Sequence, residues 1–506
     1  MASDAWRLEG ESVYMIGIGG CGMSGLARML RSRGAEVSGS DRDESQTSSD
    51  LIGEGIEIRF DQAAGVLPDR VDRVVASAAI KPDHPEMLEA DRRGVPVMTY
   101  AEALGRCMVG MTGVALAGTH GKSTTSAMLG CALVDAGIDP TVLVGAQCGQ
   151  LAGGALGRND RATGFRLGSP TIASGAMAGA PGVLIAESCE FDRSFHHHRP
   201  TIASIASVEA DHLDIYGSLD AIVEAFGEFA MLLPPAEQGG KLLIAHDGAH
   251  RREIAAGLAC AVETIGFNPQ ADWIVTFDPA TRQVGVRKKR SPACAWTAPM
   301  PGVHNAMNSA TAFVLGLMLG AEPSRLARSL EAFGGVQRRC QMLGERRFDV
   351  GPPVVVYDDY GHHPTEVDAT LRALREHVRP EQRGGRVVCV FQPHQHSRTR
   401  FFLDEFASAF EQADVVIVPQ IYFVRDSEAE KQRVSAGDLV EKLRGKGVRA
   451  MHLHPFEAIV EQLENVCRPG DLLVVMGAGP VWKVARGYLA AGLTPAIPAT
   501  RVEAWR

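Results

Sequence analysis

The sequence predicts three consecutive α/β domains built on parallel sheets, and three observations carry that prediction. Short apolar runs alternate with segments at helical spacing, the pattern of repeated strand–helix–strand units. Two of the strand–helix junctions carry glycine clusters, at 17–22 and 118–121. At 506 residues the chain exceeds one ordinary core, so two to four domains are expected.

The elements follow in order. Residues 13–18 read as a strand, 23–31 as a helix and 35–41 as the next strand. A further buried strand covers 71–77, and a helix starts near Glu86. The second unit begins with a strand at 113–117 and a helix that includes 126–129. Residues 149–182 are rich in Gly, Ala and Ser with little periodicity, so a long surface loop is expected there. A buried strand resumes at 183–186. A third unit starts after Gly334-Gly335-Val336-Gln337-Arg338-Arg339. Its strands are expected at 354–357, 387–391, 415–418 and 472–476, with helices at 364–377 and 403–412. The tail beyond Gly492 reads as a loose end.

Composition narrows the function classes. A hydrophobic fraction of 45% with 22% charged residues is that of a soluble globular protein. A net charge of −9 argues against a nucleic-acid partner. Placed cations and helix N-termini can still hold an anionic ligand. The ten cysteines form no CxxC pair, which disfavours zinc and disulfide frameworks and fits a reducing compartment. No run has the length of a membrane helix, and the N-terminus lacks a signal pattern. A cytoplasmic protein is expected, as a monomer or weak homodimer.

Gly17, Gly19 and Gly22 form a GxGxxG pattern after a strand and before a helix. Asp41 ends the next strand, where a dinucleotide-binding fold carries its ribose-binding acid. Backbone amides and a helix N-terminus suit any nucleoside diphosphate, so NAD and a UDP-sugar both remain open here. The second loop is Gly118-Thr119-His120-Gly121-Lys122-Ser123-Thr124. It departs from the full phosphate-loop spacing, because Leu116 stands where a glycine is usual and the glycine falls at 118. Lys122 suits the β/γ-phosphates of ATP, and Ser123 or Thr124 suits Mg²⁺. A diphosphate site beside a triphosphate site suggests a ligase that activates a carboxylate on a nucleotide-linked substrate.

Six motifs then occur in order. They are Thr119-His120-Gly121-Lys122, Glu187-Ser188-Cys189-Glu190, Asp211-His212-Leu213-Asp214, Gly302-Val303-His304-Asn305, the run 358–366, and Phe391-Gln392-Pro393-His394. Together they resemble the Mur ligases of peptidoglycan synthesis, over about residues 13–483. The resemblance implies an N-terminal Rossmann-like domain (1–107) for a UDP-sugar and a central P-loop ATPase-like domain (108–335). A C-terminal Rossmann-like domain (336–506) would take the amino acid. It further implies an ATP- and Mg²⁺-dependent ligase that joins L-alanine to the lactyl carboxylate of UDP-N-acetylmuramate through an acyl phosphate. Two alternatives stand beside it: a peptide-recycling ligase of the same family, and an NAD-dependent oxidoreductase.

The resemblance also assigns residues. Lys122, Glu187, His212, His362 and His394 are the expected catalytic set. Gly118, Thr119, His120, Gly121, Lys122, Ser123, Thr124, Asn305 and Arg338 would hold ATP, Arg338 by swinging its charge toward the phosphates on closure. Ser123, Glu187 and His212 would meet Mg²⁺, with Glu190 and Asp192 as weaker acids. The UDP-sugar would take Gly17, Gly19, Gly20, Gly22, Met23, Ser24 and Asp41, and the amino acid Tyr360, His362 and Arg398. Asn305 could instead act as a helix N-cap. Asp358 and Asp359 are expected on a polar loop, orienting it. Arg398 is the expected carboxylate clamp, since a guanidinium binds carboxylate bidentately. Cys189 and Gln395 depart from the family pattern, where many relatives carry an acid and an arginine. His196-His197-His198 suggests a metal tract, but three neighbouring histidines do not converge from one helix. A polar helical or loop surface is expected at 190–199.

Overall fold

A computed structural model describes residues 6–157, 162–289, 291, 294–424 and 426–492. The chain divides between Gln337 and Arg338 into two compact units, the first holding two sheets and the second one.

The first sheet has the strands β1 (Ser12–Ile16), β2 (Glu36–Ser40), β3 (Glu57–Arg59), β4 (Arg73–Ala76) and β5 (Val97–Thr99), in the spatial order β3-β2-β1-β4-β5 and all parallel. The five residues of β1 are all buried, as a central parallel strand covered on both faces requires. Chain order reverses on either side of β1. The crevice at its carboxyl end is therefore the place where such sheets bind ligands, and the Gly17–Gly22 loop lies there.

The second sheet has ten strands among the described residues. They are β6 (Thr112–Ala117), β7 (Thr141–Cys148), β8 (Thr163–Arg166), β9 (Val183–Glu187), β10 (Ile202–Ile205), β11 (Lys241–Ala245), β12 (Ala261–Gly266), β13 (Trp273–Asp278), β14 (Gln283–Lys288) and β15 (Cys294–Thr297). The order is β15-β14-β13-β12-β11-β10-β6-β9-β7-β8. It is parallel from β13 to β7, with antiparallel strands at both ends. Helix Lys122–Asp135 lies against it with ten buried residues.

The second unit carries β16 (Gln341–Arg346), β17 (Val354–Asp359), β18 (Val387–Phe391), β19 (Val415–Val418), β20 (Arg449–His452) and β21 (Leu472–Met476). Their order is β16-β17-β21-β18-β19-β20, with only β16 antiparallel. Val356, Val390, Val475 and Tyr488 belong to its core.

Three expectations need correction. Residues 149–182 are not one surface loop: β8 pairs antiparallel with β7, Thr171 bridges to Pro181, and Leu151 and Ile172 are buried. Residues 158–161 of that stretch lie outside the described residues, as does the tail after Gly492. Asp358 and Asp359 are not on a loop but end β17, both buried. Backbone donors make that burial tolerable, since the amides of Cys340 and Gly361 both donate to Asp359 at 2.6 Å. The segment 190–199 is a 3₁₀ turn, Phe191–His197, and it is not all surface. Phe195 is fully buried and stacks on Phe229 at 4.7 Å.

Candidate active site

The loop after β1 is shaped by close approach. Gly17 has φ 79°, and a Cβ on Gly22 would sit 2.9 Å from the Tyr100 ring and hydroxyl. The Gly19 amide donates to Asp41 Oδ2 at 2.8 Å, so the acid at the end of β2 faces the glycine loop. Gly20 caps helix Cys21–Ser32. Met23 points into the core, and the Ser24 hydroxyl donates to the Cys21 carbonyl at 3.0 Å.

The loop after β6 is stricter. Gly118 has φ 121°, and a Cβ there would meet Ala206 N at 2.8 Å. Gly121 has φ 83°, and a Cβ there would meet Asn308 Oδ1 at 2.4 Å. Both positions require glycine on conformation and on space. Thr119 is buried and tied in: its amide donates to the Ser207 carbonyl at 2.7 Å, and its hydroxyl accepts from Glu209 N at 2.9 Å. His120 Nε2 lies 3.5 Å from Glu209 Oε2. Ser123 and the buried Thr124 open helix Lys122–Asp135, whose first amides face the loop.

Lys122 curls back over this loop. Its Nζ donates to the Gly118 and Thr119 carbonyls at 2.6 and 3.1 Å and pairs with both Glu190 carboxylate oxygens at 3.1 and 2.9 Å. Burial opposes its charge, but the Glu190 carboxylate outweighs this and holds Lys122 above the ordinary lysine range. Glu187, at the end of β9, instead accepts from the Gly145 amide. The acid beside the phosphate-loop lysine is thus Glu190. The sequence signal was the pair of acids three apart, and nothing in it ranked Glu190 first.

Other expected residues fall nearby or take local partners. His212 precedes helix Leu213–Tyr216 at φ 51° and lies edge-on to Phe191, with ring centroids 5.1 Å apart. Asn305 is buried, and its amide donates to the Pro301 carbonyl at 2.8 Å. The N-cap of helix Val303–Met318 is Gly302, so Asn305 is not the cap. The three histidines diverge. His196 Nε2 lies 2.8 Å from the Ala225 carbonyl, His197 is exposed, and His198 is buried with Nδ1 2.8 Å from Ser188 Oγ. Burial lowers His198 to about 4, so it is neutral at pH 7.

The second unit gathers its own set at the carboxyl ends of β17 and β18. Tyr360 lies between the guanidiniums of Arg338 and Arg339, at 5.1 and 4.8 Å. The rings of Tyr360 and His362 are 5.5 Å apart, those of His362 and His394 5.6 Å, and Arg398 reaches His394 Nδ1 at 3.2 Å. Arg398 is not on an open loop. It is buried in the short helix His396–Phe401, entered through Gln395 at φ 67°. Arg338 is engaged within its own unit, by Asp358 at 3.3 Å and by the Gly477 carbonyl. Burial pushes Asp358 up to about 6, and Arg338 opposes this. Arg339, which sequence reasoning passed over, shares Tyr360 and lies 3.8 Å from Glu366.

Two glycine cradles on separate sheets, one of them armed with a lysine paired to a buried carboxylate, define a phosphate-loop protein with a second, diphosphate-type crevice. Comparison with known proteins carries this further. Residues 12–111 match the Mur ligase family catalytic domain, 116–316 the Mur ligase middle domain and 338–479 the Mur ligase glutamate ligase domain. The UDP-N-acetylmuramate–L-alanine ligase of Sorangium cellulosum is 38% identical over 482 residues, 94% of this chain and 96% of that protein. The ligase of the same name from Kineococcus radiotolerans is 40% identical over 479 residues, 93% and 94% of the two chains. Among solved structures, the UDP-N-acetylmuramate–alanine ligase of Thermotoga maritima matches with TM-score 0.71 at 24% identity, covering 95% of this chain and 98% of its own. A murein peptide ligase from Psychrobacter arcticus matches with TM-score 0.68 at 23% identity, covering 96% and 100%. These two structural likenesses concern the fold alone. The chain belongs to the Mur ligase family, whose members are ATP-using carboxylate–amine ligases. That membership sets aside the NAD-dependent oxidoreductase.

Proposed function

We propose that this enzyme joins L-alanine to the lactyl carboxylate of UDP-N-acetylmuramate in peptidoglycan precursor synthesis, working in the cytoplasm with ATP and Mg²⁺. The reading is supported by full-length relatives that carry this name. The observation that carries it is the presence of two unlike phosphate cradles in one unit, one with Asp41 and one with Lys122.

The residues fit the groups they would hold. A side chain at Gly118 or Gly121 would collide with Ala206 or Asn308, so glycine is what lets this loop turn tightly into the start of helix Lys122–Asp135, where backbone amides suit phosphates. Lys122 supplies a cation, and Ser123, Glu187, Glu190 and His212 offer donors for a divalent ion. When bound, Mg²⁺ neutralises charge that develops on the phosphate oxygens. The lactyl carboxylate takes the γ-phosphoryl group of ATP, giving an acyl phosphate and ADP. The amine of L-alanine then attacks the acyl carbon, and phosphate leaves with the bonding pair as the amide forms. Lys122 exchanges Glu190 for the phosphates and stabilises the transferring group. Thr119, His120, Thr124 and Asn305 position the nucleotide. Gly17, Gly19, Gly20, Gly22 and Asp41 form the UDP-sugar crevice, with Met23 and Ser24 contributing backbone at the start of helix Cys21–Ser32. Tyr360, His362, His394 and Arg398 receive the amino acid, and Arg338 brings charge to the phosphates.

Phosphate release with ATP and UDP-N-acetylmuramate across a panel of amino acids and short peptides tests the reading. L-Alanine is expected to support release far better than a tripeptide. Release driven by the tripeptide and not by alanine would make the enzyme a recycling ligase.

A further inference from the structure

We propose that a cleft at the back of the first sheet binds a small phosphate-bearing anion, at a site separate from both glycine loops. The cleft has a volume of about 750 Å³, within the range of small-molecule sites. Arg7, Arg73, Arg106, His197 and Arg199 line it, with Trp6 as an aromatic wall. It lies where β1, β4 and β5 begin, whereas Gly17 follows the end of β1. The five residues of β1 put the two places about 16 Å apart.

The charge in the cleft is not balanced from within. Its two acids, Glu11 and Glu102, are both already engaged. Glu11 pairs with Arg73 at 2.8 Å and accepts from Trp6 Nε1 at 2.6 Å. Glu102 closes the capping box of helix Tyr100–Met108, accepting from the Thr99 amide and hydroxyl at 2.7 and 3.0 Å. Arg7, Arg106 and Arg199 have no carboxylate partner among the described residues. Arg199 donates to the carbonyls of His196, His197 and His198 at 3.2, 3.0 and 2.8 Å, which fixes its position without neutralising it. Three guanidiniums from three separate segments therefore face one cleft with an excess of positive charge. Guanidinium forks match phosphate oxygens, and Val97, Met98 and Trp6 offer an apolar wall for an attached group.

The cleft straddles the seam between the first two sheets. A Cβ on Gly105 would lie 1.9 Å from the His197 carbonyl oxygen, so helix Tyr100–Met108 rests directly on the Phe191–His197 turn. An anion held by Arg106 from one side and Arg199 from the other would clamp that seam. The same turn follows Glu190, so occupancy of the cleft would reach the phosphate-loop lysine through one short segment.

Calorimetry tests the proposal on full-length protein whose glycine crevices are first filled with UDP-N-acetylmuramate and a non-hydrolysable ATP analogue, with Mg²⁺ in excess. Inorganic pyrophosphate is titrated in one arm and AMP in the other. One further site per chain is expected, weakened at least tenfold by Arg7→Glu combined with Arg106→Glu, with Arg106→Gln intermediate. Both arginines are exposed, so melting curves and basal turnover should be unchanged. The wild-type minus variant difference reports the cleft whatever occupies the crevices, so it stands or falls apart from the proposed ligase reaction. Tighter binding of AMP assigns a nucleotide ligand, and tighter binding of pyrophosphate assigns a free phosphate. No heat in either arm, or heat unchanged by the double variant, would overturn the site.

Discussion

The loop after β1 and the loop after β6 both follow a buried parallel strand and both open a helix, yet they handle charge differently. The first holds an acid against its amides, Asp41 on Gly19, and has no lysine of its own. The second places Lys122 over its own carbonyls and balances it with Glu190. A diphosphate linker needs amides and a helix end, with an acid for a neighbouring sugar hydroxyl. A phosphoryl group in transfer needs a cation that can move onto it. The glycine patterns look alike in sequence, and the charge beside them is what tells the two loops apart.

Lys122→Ala should give the largest effect, because it removes the only lysine of either loop. Phosphate release is expected to fall by several kcal/mol in transition-state terms, on the order of a thousandfold or more. The truncation also leaves Glu190 buried without its partner, so the melting temperature should drop as well. Adding Glu190→Gln should restore stability but not turnover. Near-normal phosphate release by Lys122→Ala would break the comparison.

The first loop predicts a binding effect. Asp41→Ala should weaken UDP-N-acetylmuramate roughly tenfold or more, from a charge-assisted contact of roughly 1.5–3 kcal/mol, and leave ATP affinity unchanged. Gly22→Val should do at least as much, since its side chain would collide with Tyr100. Calorimetry with each ligand separates the two loops, and tight NADH binding without UDP-sugar binding would refute the assignment.

Arg398→Ala should raise the KM for L-alanine roughly tenfold while sparing that for ATP, if the contact is made equally in ground and transition states. Because Arg398 is buried beside His394, Arg398→Lys is the control that preserves charge. An unchanged alanine KM in a well-folded variant would remove Arg398 from the amino acid site.

The smallest effect concerns stability. His198 has a folded pKa of about 4, below its unfolded value near 6.5, so the folded state binds fewer protons. Its contribution is complete above about 6.5 and is lost as pH falls toward 4, roughly 1–2 kcal/mol between pH 7 and pH 5. Asp358 runs the other way: raised to about 6, its contribution is lost as pH rises from about 4 through 6. Denaturation of His198→Gln and Asp358→Asn across this range should show slopes altered in opposite senses.

Much of the frame was legible because buried parallel strands are short and uniformly apolar. Val387–Phe391, Val415–Val418 and Leu472–Met476 fall at the expected residues. Strand β8 was hidden, since Thr163-Gly164-Phe165-Arg166 is short and carries glycine. In the extension β13–β15, β14 and β15 lack the apolar runs that mark the buried strands. Asp358 and Asp359 defeated the polarity rule because two of their donors, Arg338 and the Cys340 amide, stand about twenty residues earlier in the chain, and only the Gly361 amide is local. The motifs named the participants of the candidate site but not its pairings. Whether Lys122 faces Glu187 or Glu190 depends on how the chain turns after β9.

The contact of Gly105 with the His197 carbonyl has a consequence for protein engineering. A seam with no room for one methyl group accepts a foreign partner only where position 105 stays glycine and the facing turn keeps its path. The module built on the first sheet is therefore not a freely exchangeable cassette. A chimaera that imports residues up to 107 from a relative must also import the turn at 191–199, or the graft will stand off from the body that carries the phosphate loop.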